Sequence, residues 1–265
     1  MEELMAKGHT KAEAQKLVSH KGSWMAGKLK VEHPYNGELM DMPEEVIREL
    51  NKDGGIRMFS FGDFRPGIDE KNVERLLADA QKRGLKVKTI TKELEYIEKY
   101  HNHPNQFFIN LSIDYLPKEM SNAVPYEQAV KAVQDKPKVG LRVVALNRKQ
   151  ALKALDDPNI EVITLYHGYT GKELWEIIKV QNPDLIKRVG KKAVMKEVNS
   201  WQDLAGPKHE KFRKMLQKKV PGRVCCVGKS CAKCPKSKCG IGNYEFAGLL
   251  PGVHLPNKID DERKK

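Results

Sequence analysis

The sequence predicts an α/β protein, and three observations carry that reading. Short runs rich in β-branched residues, leucine or phenylalanine recur from Ile56 onward; segments with helical spacing of apolar residues lie between them; and all five cysteines sit in a loop-rich C-terminal stretch. The predicted strands are Ile56–Phe61, Leu85–Ile90, Gln106–Ile113, Val139–Leu146 and Ile160–Tyr166. Their starts lie 21 to 33 residues apart. That spacing suits strands in parallel, joined by helical crossovers. Five or six strands are too few for a complete eight-stranded barrel. A partial barrel and an open doubly wound sheet both fit the periodicity, and in either the carboxyl ends of the strands form the active edge.

The intervening helices are signalled residue by residue. Val73, Leu76, Leu77 and Ala80 fall on one helical face, with Asp69 as N-cap and Gly84 as terminator. Asn147 caps a helix carrying Ala151, Leu152 and Leu155, and Thr170-Gly-Lys-Glu173 reads as a capping box before Leu174, Ile177 and Ile178. Ahead of the first strand, Pro43 opens a helix bearing Val46, Ile47 and Leu50. Pro207 opens another, bearing Phe212, Met215 and Leu216, and from Pro221 the chain reads as loop. The expected organisation is a polar helical segment over 1–50, the strand–helix body over 51–206, and a cysteine-rich segment over 207–265.

Composition bounds the function. Hydrophobic residues make up 40% of the 265, which is globular rather than disordered. Lys and Arg exceed Asp and Glu by 13, an excess that favours an anionic partner or simply decorates a solvated surface. No apolar run approaches the ~20 residues of a membrane span, so no membrane partner is expected. Met1-Glu-Glu-Leu-Met-Ala-Lys lacks the apolar region of a secretory signal. The expected compartment is the cytoplasm, where thiols stay reduced.

The cysteines carry the sharpest chemistry. They read Cys225-Cys226-x4-Cys231-x2-Cys234-x4-Cys239, and residues 1–224 contain none. Cysteines used only as small apolar side chains would scatter, whereas ligands converge. The spacing brings the thiolates of Cys226, Cys231, Cys234 and Cys239 to one centre, with Cys225 as the alternative first ligand. Zinc is usually held by paired C-x2-C knuckles, and only one is present. Compact irregular runs are used by iron–sulfur proteins, so a [4Fe–4S] cluster is favoured and zinc is the alternative.

Strand ends supply the other candidates. After the first strand, Gly62 permits close approach of a ligand to the backbone and Asp63 can accept from an ammonium group. Alternation in the third strand puts Asn110, Ser112 and Asp114 on one face, a costly placement unless they bind something. Arg142 interrupts an apolar run and suits a carboxylate or phosphate, or a structural Asp. His167 follows the fifth strand as an acid/base or ligand candidate.

Together these residues resemble the radical S-adenosylmethionine superfamily over about Ile56–Gly242. Phe61-Gly62-Asp63 is similar to that family's glycine-plus-acid turn, which binds the cofactor's amino group; Val87-Lys-Thr-Ile-Thr-Lys92 and Asn110-Leu-Ser112-Ile-Asp114 resemble its third and fourth strands; Arg142 stands where a fifth-strand side chain meets the cofactor carboxylate. The resemblance implies a partial (β/α) barrel, S-adenosylmethionine or a similar small molecule at the strand ends, and an auxiliary-type cluster on the C-terminal cysteines. The family's defining three-cysteine loop should precede Ile56, and no cysteine is there. The expectations are then that the radical chemistry is lost, that a second polypeptide supplies the loop, that the sequence begins downstream of the usual start, or that the C-terminal cluster serves the cofactor itself. The competing reading is a non-catalytic, zinc-stabilised nucleic-acid-binding protein, supported by Lys208, Lys211, Arg213, Lys214, Lys218, Lys219, Lys229, Lys233, Lys236 and Lys238.

Overall fold

A computed structural model describes residues 35, 37, 39–52, 55–58, 63–166, 168–169, 171–220 and 222–225, the last two by their backbone. Its strands form a parallel α/β sheet in the order β1-β2-β3-β4-β5-β6, so spatial order follows chain order and β1 and β6 are the ends. The chain divides into two compact units, Met1–Asn110 with Lys136–Val139 and Leu111–Asp135 with Gly140–Lys265.

In the first unit, helix α1 (Glu44–Lys52) buries Val46, Ile47 and Leu50, as its apolar spacing requires. It leads through Gly55 into β1 (Ile56–Met58). Gly55 has φ +90, and a Cβ there would overlap the Lys86 carbonyl. Only glycine fits this corner. Strand β1 pairs in parallel with β2 (Val87–Thr91), Ile56 opposite Val87 and Met58 opposite Thr89. The second strand therefore starts two residues later than its sequence suggests.

Between these strands lies α2 (Glu70–Lys82), burying Val73, Leu76, Leu77 and Ala80. Asp69 occupies its N-cap position but makes no side-chain cap bond. Its carboxylate instead accepts from Arg65 N (2.8 Å), Nε (3.2 Å) and Nη2 (3.1 Å), closing the preceding loop. At the other end Gly84 N reaches Gln81 O at 3.1 Å and Leu85 N reaches Ala80 O at 2.8 Å, the paired bonds of a Schellman stop. Helix α3 (Leu94–Tyr100) sends Tyr96 and Tyr100 edge-on or tilted against each other and Phe64. The adjoining strand is β3 (Gln106–Ile113).

The second unit carries α4 (Tyr126–Val133), β4 (Val139–Ala145) from Gly140 onward, α5 (Arg148–Asp156) and β5 (Ile160–Leu165). Asn147 caps α5 as expected, its Oδ1 accepting from Gln150 N at 3.0 Å. After β5 come three short helices: α6 (Lys172–Gln181), α7 (Pro183–Val189) and α8 (Lys191–Asn199). The N-cap of α6 is Gly171; Thr170, which opens the expected capping box, lies outside the described residues. Leu174, Ile178, Leu185, Val194 and Val198 turn inward from these helices onto Val144, Leu146, Tyr166 and Trp201. Each such burial is worth roughly 1.5–3 kcal/mol. A 3-10 turn (Pro207–His209) then leads into α9 (Glu210–Lys219).

A sixth strand follows where the sequence suggests loop: β6 (Val224–Cys225) pairs in parallel with β5, Ile163 opposite Val224 and Thr164 opposite Cys225. Two residues have little strand propensity to display. Arg223 supplies the anchorage. Its guanidinium donates to Ile160 O (2.7 Å), Leu155 O (3.2 Å), Ala154 O (3.1 Å) and Asp157 O (2.5 Å), a cation on the carbonyl end of α5. Ile163 N in turn donates to Arg223 O at 2.7 Å.

Candidate ligand site and cysteine stem

In the second unit, Arg142 lies inside β4, a strand buried along its whole length. Its side chain is 3% exposed; Nη1 donates to Ser112 Oγ at 3.0 Å and Nε to Thr164 Oγ1 at 3.1 Å. Ser112 is 5% exposed and Thr164 is fully buried. The ladder between β4 and β5 is irregular at this point. Leu141 faces Ile160 but Arg142 faces Val162, which leaves Glu161 as an extra residue. A bulge of this kind bends the strand and re-aims the side chains beside it. Hydroxyls from two strands thus meet a guanidinium from the strand between them.

Thr164 also ties this group to the cysteine segment. Cys225 is its partner in the β5–β6 ladder, so the chain enters the cysteine-rich stretch one strand away from Arg142. Parallel pairing directs that entry toward the carboxyl end of β5. Cys226, Cys231, Cys234 and Cys239 lie outside the described residues. Among the described residues no group of three or more His, Cys, Asp or Glu is placed to hold a metal ion.

The strand ends themselves are occupied by protein. Gln202 N donates to Leu146 O at 2.7 Å and Ala205 N to Tyr166 O at 3.1 Å, so the chain after α8 runs across the ends of β4 and β5. Buried Arg213 of α9 holds that crossing by donating to Leu204 O and Gly206 O. Arg213 is therefore spent inside the fold, unlike Lys208, Lys211, Lys214, Lys218 and Lys219, which are exposed. It drops out of the basic set that supported nucleic-acid binding.

In the first unit, Asp63 is half-buried; Gly62 lies outside the described residues. Its Oδ1 accepts from Phe64 N (2.8 Å) and Thr91 Oγ1 (2.5 Å), and its Oδ2 from Lys92 N (2.7 Å). The carboxylate thereby latches the turn after β1 to the end of β2. Burial pushes its pKa up to about 6, against those three bonds, which favour the charged form. Three of the roughly four lone-pair positions of a carboxylate are filled, leaving space for one further donor.

Asn110 is fully buried in β3 and shares its face with Ser112 and Gln106 by strand alternation. Gln106, which the sequence does not single out, is satisfied internally. Its Nε2 donates to Val87 O (3.2 Å), Thr89 Oγ1 (3.2 Å) and Phe108 O (3.1 Å), while Oε1 accepts from Tyr96 OH at 3.0 Å. Asp114 serves its own loop, accepting from Leu116 N at 3.1 Å and Ser121 Oγ at 3.0 Å. His167 falls outside the described residues. Ser112 and Arg142 are thus brought together, and Asp63 belongs to the other unit.

Thr164 and Thr91 escaped the sequence reading because threonine is itself a good strand former, so neither breaks a β-branched run. The available signal was a hydroxyl at alternate positions of a strand otherwise apolar on that face. No family model, curated protein or solved structure matches the chain.

Proposed function

We propose that the protein holds a [4Fe–4S] cluster on its C-terminal cysteines and binds S-adenosylmethionine or a similar carboxylate-bearing small molecule beside Arg142. The observation that carries this reading is the pairing of Cys225 with Thr164, whose hydroxyl accepts from Arg142. It links the cysteine stem on β6 to the buried cation on β4 through the strand between them. Four thiolates from Cys226 to Cys239 are a soft donor set suited to iron–sulfur ligation. Cys225 takes its place in the ladder, which favours Cys226 as the first ligand. When bound, the cluster supplies one-electron redox chemistry.

The residues of the chain have separate roles. Arg142 provides a fixed positive charge for a carboxylate, oriented by Ser112 and Thr164. Asp63 has a role of its own within the first unit, where it accepts from Phe64 N, Thr91 Oγ1 and Lys92 N. The coincidence of strand order with chain order supports a partial (β/α) barrel, because a doubly wound sheet reverses its order at a switch point. In this reading the C-terminal cluster is the redox centre that Cys226, Cys231, Cys234 and Cys239 supply.

Isothermal titration with S-adenosylmethionine tests the ligand assignment. Saturable binding that Arg142→Met abolishes, while Lys71→Met leaves it intact, supports it. A flat titration of the cluster-loaded protein removes it and leaves an electron-transfer or assembly role for the cluster.

A further inference from the structure

The positive charge of this chain is segregated. Residues 172–219 hold 13 Lys and Arg against 6 Asp and Glu, whereas residues 35–110 hold 12 against 14. With buried Arg213 set aside, this stretch carries a net excess of 6, close to half of the chain's 13, and α6–α8 themselves hold 7 Lys and Arg against 4 Asp and Glu. A surface carrying lysine only for solubility has no reason to concentrate it this way.

Within that stretch the three-helix group α6–α8 adds an aromatic surface to the charge. Trp175 on α6 packs only partly into the core, and its ring has the Lys179 amine 6.0 Å and the Lys191 amine 5.9 Å from its centroid. Lys191 and Lys192 form the first turn of α8 with no acid among them. Cations there oppose the helix dipole, a cost that an anion in contact would remove. Arg188, exposed at the end of α7, adds a further cation to this group.

We propose that α6–α8 form a binding face for single-stranded nucleic acid, with Trp175 stacking on a base and Lys191 and Lys192 meeting the phosphates. Lys179 is paired with Glu176 at 2.6 Å and Arg188 donates to Glu119 O at 3.1 Å. A half-open indole bracketed by ammonium groups is the combination such strands require: a π-face for any base and cations for the backbone. An anionic lipid surface would call for a broad exposed apolar face. Here the apolar faces of the three helices are turned inward, and Val180, at 81% exposed, is the one large apolar side chain of these helices that stands clear. The lysines on α9 extend the basic stretch but are not needed for the face. This inference is independent of the metal in the cysteine segment.

The test is fluorescence anisotropy of the full-length protein with a labelled oligouridylate and the matching oligodeoxythymidylate, longer than the ~4–16 nucleotides of a typical single-strand site. Binding of either strand is expected, weakening steeply between about 50 and 200 mM salt. The double variant Lys191→Glu, Lys192→Glu should weaken it by about tenfold or more and flatten the salt dependence. Trp175→Ala should weaken it by about tenfold at constant salt slope, since it removes stacking and not charge. Because Trp175 also touches the core, circular dichroism accompanies that variant, and the lysine pair provides a surface-only check. Lys71→Glu, a charge reversal on α2, should leave affinity within about twofold. Failure of both strands to bind at low salt overturns the proposal. Binding unmoved by the lysine pair, or co-sedimentation with phosphatidylserine vesicles in place of nucleic-acid binding, does the same.

Discussion

Cys225 and Thr164 face each other across the β5–β6 ladder, and the hydroxyl of Thr164 is an acceptor for Arg142. One residue thus touches both the stem of the cysteine segment and the buried guanidinium. Loss of Arg142 should consequently be felt twice, in stability and in ligand binding. Arg142→Ala leaves two buried hydroxyls without their donor, at about 1–3 kcal/mol each, and Thr164→Val removes one acceptor at about 1 kcal/mol. Urea denaturation of both variants should give that ranking. Equal stability of Arg142→Ala and the parent would contradict the structural part of the account.

Asp63 predicts a pH dependence whose sign can be worked out. Its folded pKa, about 6, lies above the ordinary carboxylate value, so between about 4 and 6 the folded chain holds its proton more tightly than the unfolded one. Its contribution is therefore greatest below pH 4 and declines as pH rises through 6, by roughly 2–3 kcal/mol at most. Asp63→Asn cannot titrate. The difference in stability between parent and variant should shift in favour of the variant across that window, and a difference constant with pH would contradict the burial argument.

Much of the sheet was legible in the sequence, for a definite reason. Strands β3, β4 and β5 are buried almost throughout, so burial and β-propensity coincide and their bounds are read to within one residue. The sixth strand was not legible, because Val224 and Cys225 are placed by the Arg223 guanidinium on distant carbonyls rather than by their own preferences. Asp69 likewise has the residue type of an N-cap but answers to Arg65, a competition that local spacing does not reveal. Arg142 was legible as an anomaly in an apolar run; its partners were not, since Ser112 and Thr164 lie 30 and 22 residues away in the chain.

The clamp on β6 can be broken separately. Arg223→Ala removes four carbonyl bonds, and a two-residue strand has little else to hold it. Hydrogen exchange at Val224 and Cys225 should accelerate well beyond that of β4, and cluster-loaded protein should surrender iron to a chelator faster. Unchanged protection at both amides would show that the register is fixed by something other than Arg223.

Gly55 makes a prediction that involves no site at all. Gly55→Ala forces a methyl group onto the Lys86 carbonyl at a φ of +90, so the corner between α1 and β1 has to move. A loss of about 2 kcal/mol or more is expected in thermal or denaturant unfolding. A silent substitution would mean that β1 does not lie as described against β2.

The central claim is that Cys226, Cys231, Cys234 and Cys239 converge on one iron–sulfur centre. Iron and acid-labile sulfide in anaerobically purified full-length protein measure it most directly. The account predicts a brown protein with about four of each per chain, falling sharply in Cys231→Ser and Cys234→Ser. A colourless protein holding a single zinc, or one whose iron is indifferent to those substitutions, would contradict it.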